Sequence, residues 1–253
     1  MARYLFTVAY DGSTFSGWQI QKGAPSIQET LETALGTLTG APPRIHGSGR
    51  TDAGVHALGQ TFHANIPDTL NISEENWPRA LNTKLPSSIR ILSARLVPDD
   101  FHARFSAVGK TYEYRLVTSR ILMPFDFQRA GHYPKPVDAG VLQQAVSLFA
   151  GTHDFRAFAA VRGNEPDPIP EDYYIRTLSE ATVLPEEHGF RLRFTGTGFL
   201  YKMVRLMVGS AHAAATGKHT LDYLQRQIDA PHSPKGRYCA SPYGLTLHTV
   251  YYK

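Results

Sequence analysis

Cysteine is almost missing from this sequence. Cys239 is the only one in 253 residues, so no intrachain disulfide can form and no cysteine-based zinc site can be built within one chain. Long apolar runs are missing as well. Nowhere do about 18 apolar residues follow one another, so no membrane-spanning helix is expected. The opening MARYLFTVAYDG holds one arginine and a short alternating run, not the apolar core of a signal peptide. Large charge of either sign is also lacking: 26 Lys+Arg stand against 22 Asp+Glu, a formal net charge of +4. The expectation is a cytoplasmic protein with no membrane association, whose mildly basic surface suits an anionic partner. What is present is ordinary globular composition, 42% hydrophobic and 19% charged, which excludes wholesale disorder. The length admits one large domain or two of common size.

The hydrophobic spacing sets out the elements. Residues 3–10 alternate, with Tyr4, Phe6, Val8 and Tyr10 on one face, and predict a strand ended by the turn signal Asp11-Gly12. Ser26 and Glu29 form a capping-box pattern. Behind it Ile27, Leu31, Ala34, Leu35 and Leu38 fall at helical spacing and Gly40 stops the helix. Strands are expected over 59–66 and 89–97, and a helix over 77–85 with Asn76 as cap and Pro78 in its first turn. The second half repeats this order. It has a strand over 110–117, a helix capped by Asp138 and stopped by Gly151, a hairpin over 175–184 and 190–197, helices over 199–215 and 221–228, and a last strand over 245–252. Residues 162–174, with three prolines and four acids, read as a surface loop. The whole is α+β. Two lobes are expected, 1–106 and 107–253.

The chemistry concentrates in GSGRTDAGVHA, residues 47–57. Glycines let backbone approach a ligand closely, yet the Lys-Ser/Thr that completes a phosphate-binding P-loop is absent. Asp-Ala-Gly resembles the aspartic-protease triplet, but no apolar strand precedes it. His46 and His56 lack metal-ligand spacing. Taken alone, the segment reads first as a turn. Its surroundings add an active-site reading. Residues 10–21 place Trp18, exposed by its Gly and Gln neighbours, in YDGSTFSGWQIQ. Residues 101–115, FHARFSAVGKTYEYR, interleave cations with aromatics. In 197–209 Lys202 and Arg205 stand three apart on an apolar helix. Rings that stack and cations that hold phosphate suit unpaired or flipped nucleotides. Tyr112 and Tyr114 also read as strand core, and Arg205 as a salt-bridged helix residue.

Together these stretches resemble the TruA family of tRNA pseudouridine synthases. The resemblance runs through YDGSTFSGWQIQ, GRTDAGVHALGQ, LNTKLP, FHARFSAVGKTYEYR, GTHDFRAF, GFLYKMVR and SPYGLTL, in that order along nearly the whole chain. It implies the pseudouridine synthase fold, two lobes of antiparallel sheet backed by helices with a central active-site cleft. It also implies isomerisation of uridine to pseudouridine in the anticodon arm of tRNA, at positions 38, 39 and 40, by a homodimer that needs no cofactor and no metal. By the same resemblance Asp52 is the essential carboxylate. It attacks the sugar, attacks the uracil ring or removes a 2′ proton. A carboxylate in these roles must be ionised, which an adjacent guanidinium favours; Arg50 and Arg205 are the candidates. Tyr112 would stack on the uracil and assist proton loss, and Leu245 would lie beside the base. Asp11, Trp18, Gln19, His56 and Lys110 would position RNA. The target must be flipped out of its stem. Two departures from the family pattern are a long, acidic 162–174 loop and Gly131-His132-Tyr133 where a tryptophan is usual. Two other classes remain: a tRNA-binding module without catalysis, and an Asp-dependent hydrolase that frees uracil.

Overall fold

The structure is a computed structural model that describes residues 1–161, 163, 165–229 and 238–253. In chain order its elements are β1 (Ala2–Tyr10), α1 (Ile27–Thr39), β2 (His46–Gly47), β3 (His56–Ile66), α2 (Trp77–Asn82), β4 (Ile89–Leu96), β5 (Ala107–Val117), β6 (Gly131–His132), α3 (Ala139–Ser147), β7 (Gly151–Asp154), β8 (Ile175–Glu186), β9 (Gly189–Gly196), α4 (Met203–Ala215), α5 (Leu221–Asp229) and β10 (Leu245–Tyr252). The fold is mixed α/β, with mostly antiparallel strands backed by helices. By compactness the chain forms two units, Met1–Val108 with Thr246–Lys253, and Gly109–Leu245. The last strand, which the sequence reading gave to the second lobe, groups with the first unit. The reason is pairing: Thr246 and Leu247 run parallel to His56 and Ala57.

In the first unit the strand order is β4-β1-β3-β10, with β2 added to β3. The alternation in β1 buries Tyr4, Phe6, Val8 and Tyr10. Phe6 lies opposite Phe62, the two rings stack at 5.0 Å, and Trp77 meets Phe6 edge-on at 5.4 Å. Such aromatic pairs add about 0.5–1.5 kcal/mol beyond the area they bury. At α1 the Ser26 hydroxyl accepts the Glu29 N–H at 3.3 Å. Gly40 closes the helix with φ 83°, a conformation that favours glycine. Two expectations change. Asn76 does not cap α2 through its side chain; its amide donates to Ser73 Oγ at 2.9 Å. Strand β3 starts at His56, ahead of the expected residue 59, because the partner that extends it comes from the far end of the chain.

His63 on β3 is buried against two other imidazoles. Its ring stacks on His46 at 5.0 Å and meets His102 edge-on at 4.7 Å. Its Nδ1 accepts the Ala103 N–H at 3.1 Å, which places the ring proton on Nε2 in the neutral form. Burial, with the charges of His102, His46 and Arg3, lowers its pKa to about 4. Because this base takes up a proton more readily unfolded than folded, its contribution is complete above about pH 6.5 and is lost as pH falls toward 4. The expected loss is about 2–3 kcal/mol. Urea midpoints at pH 7 and pH 4.5 should show it, and His63→Gln should flatten the difference. An equal drop in the variant would assign the acid sensitivity elsewhere.

In the second unit the order is β5-β9-β8-β7, with β6 parallel to β5. The two-residue period of β5 divides its side chains between the sheet faces. Tyr112 and Tyr114 lie on one. On the other, buried Glu113 accepts Arg191 Nη1 at 2.8 Å and Arg193 Nη2 at 2.6 Å. Arg191 and Arg115 share Glu186, and Arg115 also bonds Asp126. Helix α4 is buried along nearly its whole length and packs on α3. It begins at Met203, four residues later than expected, because Lys202 takes a left-handed φ of 58°. Lys202 is therefore not on the helix face that carries Arg205; its ammonium lies 5.2 Å from the Tyr201 ring. Of the acidic loop read over 162–174, Arg162 and Asn164 lie outside the described residues. The rest is largely exposed.

Candidate active site

Asp52 stands in the connection between β2 and β3, and backbone bonds pin that connection along its length. The Ser48 N–H donates to Thr61 O at 2.8 Å. The Ser48 hydroxyl donates to Gln60 Oε1 at 2.7 Å, and Gln60 Nε2 donates to Gly49 O at 2.9 Å. Gln60 is fully buried, so it is an internal strut for the loop. Thr51 Oγ1 lies 2.9 Å from Tyr10 Oη. Burial pushes the Tyr10 phenol up, which keeps it neutral. Beyond Asp52, the Val55 N–H donates to Asp52 O at 3.1 Å, and Gly54 has φ 78°. The segment is thus a turn, as its composition predicts, and a rigid one. Asp52 is half-buried in it, between exposed Arg50 and exposed Ala53.

A second segment, residues 11–18, packs against this loop. The Trp18 N–H donates to Thr51 O at 3.0 Å. A side chain on Gly12 would come within 2.0 Å of Val55 O, and one on Gly17 within 2.6 Å of Thr51 O. Here glycine is needed for close backbone approach. Trp18, read as exposed, is 3% exposed. Its ring fills the space that Gly47 leaves by lacking a side chain. Asp11 and His56 are brought together: His56 Nδ1 lies 3.3 Å from Asp11 Oδ1 and accepts the Gly12 N–H at 3.2 Å. Asp11 Oδ1 also accepts the Ser13 N–H at 3.0 Å. Gln19 is half-buried just beyond Trp18. Gln60, Tyr10 and Ser48 were not singled out from the sequence. The glycines of YDGSTFSGW were the one local signal that two backbones would meet here.

The second unit holds the other candidates. Tyr112 on β5 is buried, with its ring edge-on to Phe199 at 5.0 Å. Lys110, two residues earlier on the strand, is half-buried and pairs with Gly196. Arg205, in the first turn of α4, donates from Nε to Ala240 O at 2.8 Å, and its own carbonyl accepts the Ala240 N–H at 2.9 Å. These two bonds fix the start of α4 to residue 240. Tyr114 is fully buried, its hydroxyl 3.2 Å from that of Tyr133. Burial raises its pKa well above the usual value, and the Arg205 charge partly offsets this. Leu245 opens β10 and is buried, after a turn in which Ser241 Oγ accepts the Tyr243 N–H at 3.4 Å. Gly244 in that turn touches the Tyr114 ring so closely that a side chain there would clash at 2.5 Å.

The first unit thus presents one half-buried carboxylate, Asp52, on a pinned loop of small residues. The family model described as tRNA pseudouridine synthase matches residues 7–106 and 145–253. The chain belongs to the tRNA pseudouridine synthase family and is therefore an isomerase. It is 58% identical to tRNA pseudouridine synthase A of Akkermansia muciniphila, over 100% of this chain and 96% of that protein. It is 41% identical to the protein of that name from Latilactobacillus sakei, over 99% of both chains. It is 38% identical to the one from Bacillus subtilis, over 97% of both. No helix among the described residues is long and apolar enough to cross a membrane.

Proposed function

We propose that the chain isomerises uridines in the anticodon arm of tRNA, with Asp52 as the essential carboxylate. The reaction breaks C1′–N1, turns the uracil and joins C5 to C1′. N1 ends protonated and C5 gives up its proton. No oxidation state changes, so the chemistry asks for a nucleophile or base, a held ring and a proton acceptor, and for no cofactor. Asp52 serves by attack on the sugar, attack on the ring or removal of a 2′ proton. The observation that carries the reading is the pinned loop. It holds one half-buried carboxylate among small residues, and preorganised placement of this kind lowers barriers. Arg50 binds the substrate, Arg205 takes part in catalysis, Tyr112 stacks on the flipped base, and Leu245 supplies an apolar neighbour. Asp11, Gln19, His56 and Lys110 position RNA. Trp18, being buried, supports the loop from beneath. The test is tRNA carrying 5-tritiated uridine. Tritium release with the base retained supports the isomerase. Release of free uracil would make it a hydrolase, and binding without tritium release a binding module.

The homodimer is supported by a second observation. Ile121, Met123, Phe125 and Phe127 are all exposed, Phe125 at 83%, on a turn held by the Asp126 N–H donating to Met123 O at 2.9 Å. Large apolar side chains grouped on an ordered surface mark interfaces, and a second copy covers them. Phe125→Glu should halve the mass seen by light scattering. An unchanged mass would remove this surface from the dimer.

A further inference from the structure

Phe105 is 76% exposed and the proposed reaction gives it no task. The turn that carries it is nonetheless firmly built. The His102 N–H donates to Ser106 Oγ at 3.0 Å, and the Ser106 N–H returns to His102 O at 2.8 Å. Ala103, fully buried, donates its N–H to His63, and its carbonyl accepts Tyr252 Oη at 2.7 Å. The Arg104 N–H donates to His102 Nδ1 at 3.1 Å. The backbone that carries the exposed phenyl ring is thus fixed before anything binds, which reduces the entropy cost of using the ring.

Other flat and cationic groups surround it. The His102 ring lies 4.5 Å from Phe105, His46 lies 5.5 Å from His102, and the Arg104 guanidinium lies 5.6 Å over the Phe105 ring. The charges of His46, Arg3 and Arg104 all act on His102. The imidazoles are poorly disposed for a metal, because Nδ1 of both His63 and His102 already accepts a backbone N–H. Rings and cations grouped in this way fit a polyanion with π-faces better than another protein surface, which would have to desolvate those cations.

We propose that Phe105, His102 and His46 form a stacking platform for an unpaired or splayed nucleotide of the bound RNA, with Arg104 on its phosphate. This rests on the reading that tRNA is the substrate. His46 precedes Asp52 by six residues, so at most about 20 Å of chain separates them. The platform therefore receives a base near the target uridine on the same RNA. Stacking on aromatic side chains is sequence-tolerant and contributes substantially per base, so it supplies affinity without choosing the target.

The experiment measures tRNA Kd, turnover at saturating tRNA and molecular mass for Phe105→Ala, Phe105→Leu and Phe105→Trp. Alanine and leucine should weaken binding about tenfold with turnover within about twofold, while tryptophan restores affinity. Arg104→Ala should lower the slope of log Kd against log salt by about one. Unchanged affinity in Phe105→Ala overturns the platform. So does equal loss with tryptophan, or a halved mass, which would make the surface an interface between copies. If the wild type forms no pseudouridine yet Phe105→Ala still weakens tRNA binding, the platform stands and the isomerase reading falls.

Discussion

Asp52→Asn is expected to lower turnover by roughly four orders of magnitude, a barrier increase of about 5.5 kcal/mol, while leaving tRNA Kd within about threefold. The amide keeps the size of the side chain and loses its charge, its nucleophilicity and its basicity, so any of the three roles proposed for Asp52 fails. Folding should be spared. The turn is closed through the Asp52 carbonyl, which accepts the Val55 N–H, and the side chain is only half-buried. Single-turnover assays with saturating enzyme separate binding from chemistry. A variant that turns over within tenfold of wild type would remove Asp52 from the reaction. A large rise in Kd with chemistry intact would make it an RNA contact.

Gly17→Ala is the second large effect, and it acts on the site through the fold. Gly17 has φ 94°, and an added Cβ would lie 2.6 Å from Thr51 O and 3.1 Å from Asp52 C. Backbone strain costs about 1–3 kcal/mol, and forcing a packed contact apart costs a similar amount. The sum, about 2–6 kcal/mol, should lower Tm by roughly 4–24 °C in a chain of this size. Because the clash falls on the backbone that carries Asp52, turnover should drop by about a hundredfold as that carboxylate shifts. Gly23→Ala is the control. Its φ is 76° with nothing within 4 Å, so it bears strain without a clash and should leave turnover intact. If both variants behave alike, contact between the two segments does not position the loop.

What could be read in the sequence was local. The Ser26 cap, the Gly40 stop, the Asp138 cap and the inward face of β1 each depend on residues a few positions apart, and all are present in the structure. What could not be read depends on partners far along the chain. Trp18 looked exposed among Gly and Gln, yet it is buried because Gly47, 29 residues away, leaves room for its ring. The early start of β3 comes from β10. The late start of α4 comes from one left-handed residue, Lys202, which no apolar period announces. For the site, the motif GRTDAGVHA marked the carboxylate. The struts that hold it, Gln60 above all, were ordinary polar residues until the pairing of β2 with β3 brought them under the loop.

The return of β10 to the first unit has a consequence for how the chain is made. Tyr252 and Thr61, whose hydroxyls bond, are 191 residues apart. At about 5–20 residues per second, a ribosome needs roughly 10–40 s between them. For that interval the edge of β3 at His56 and Ala57 lacks its partner, and unpaired strand edges recruit foreign strands. The segment next to Asp52 is thus among the last parts of the first unit to be completed during synthesis.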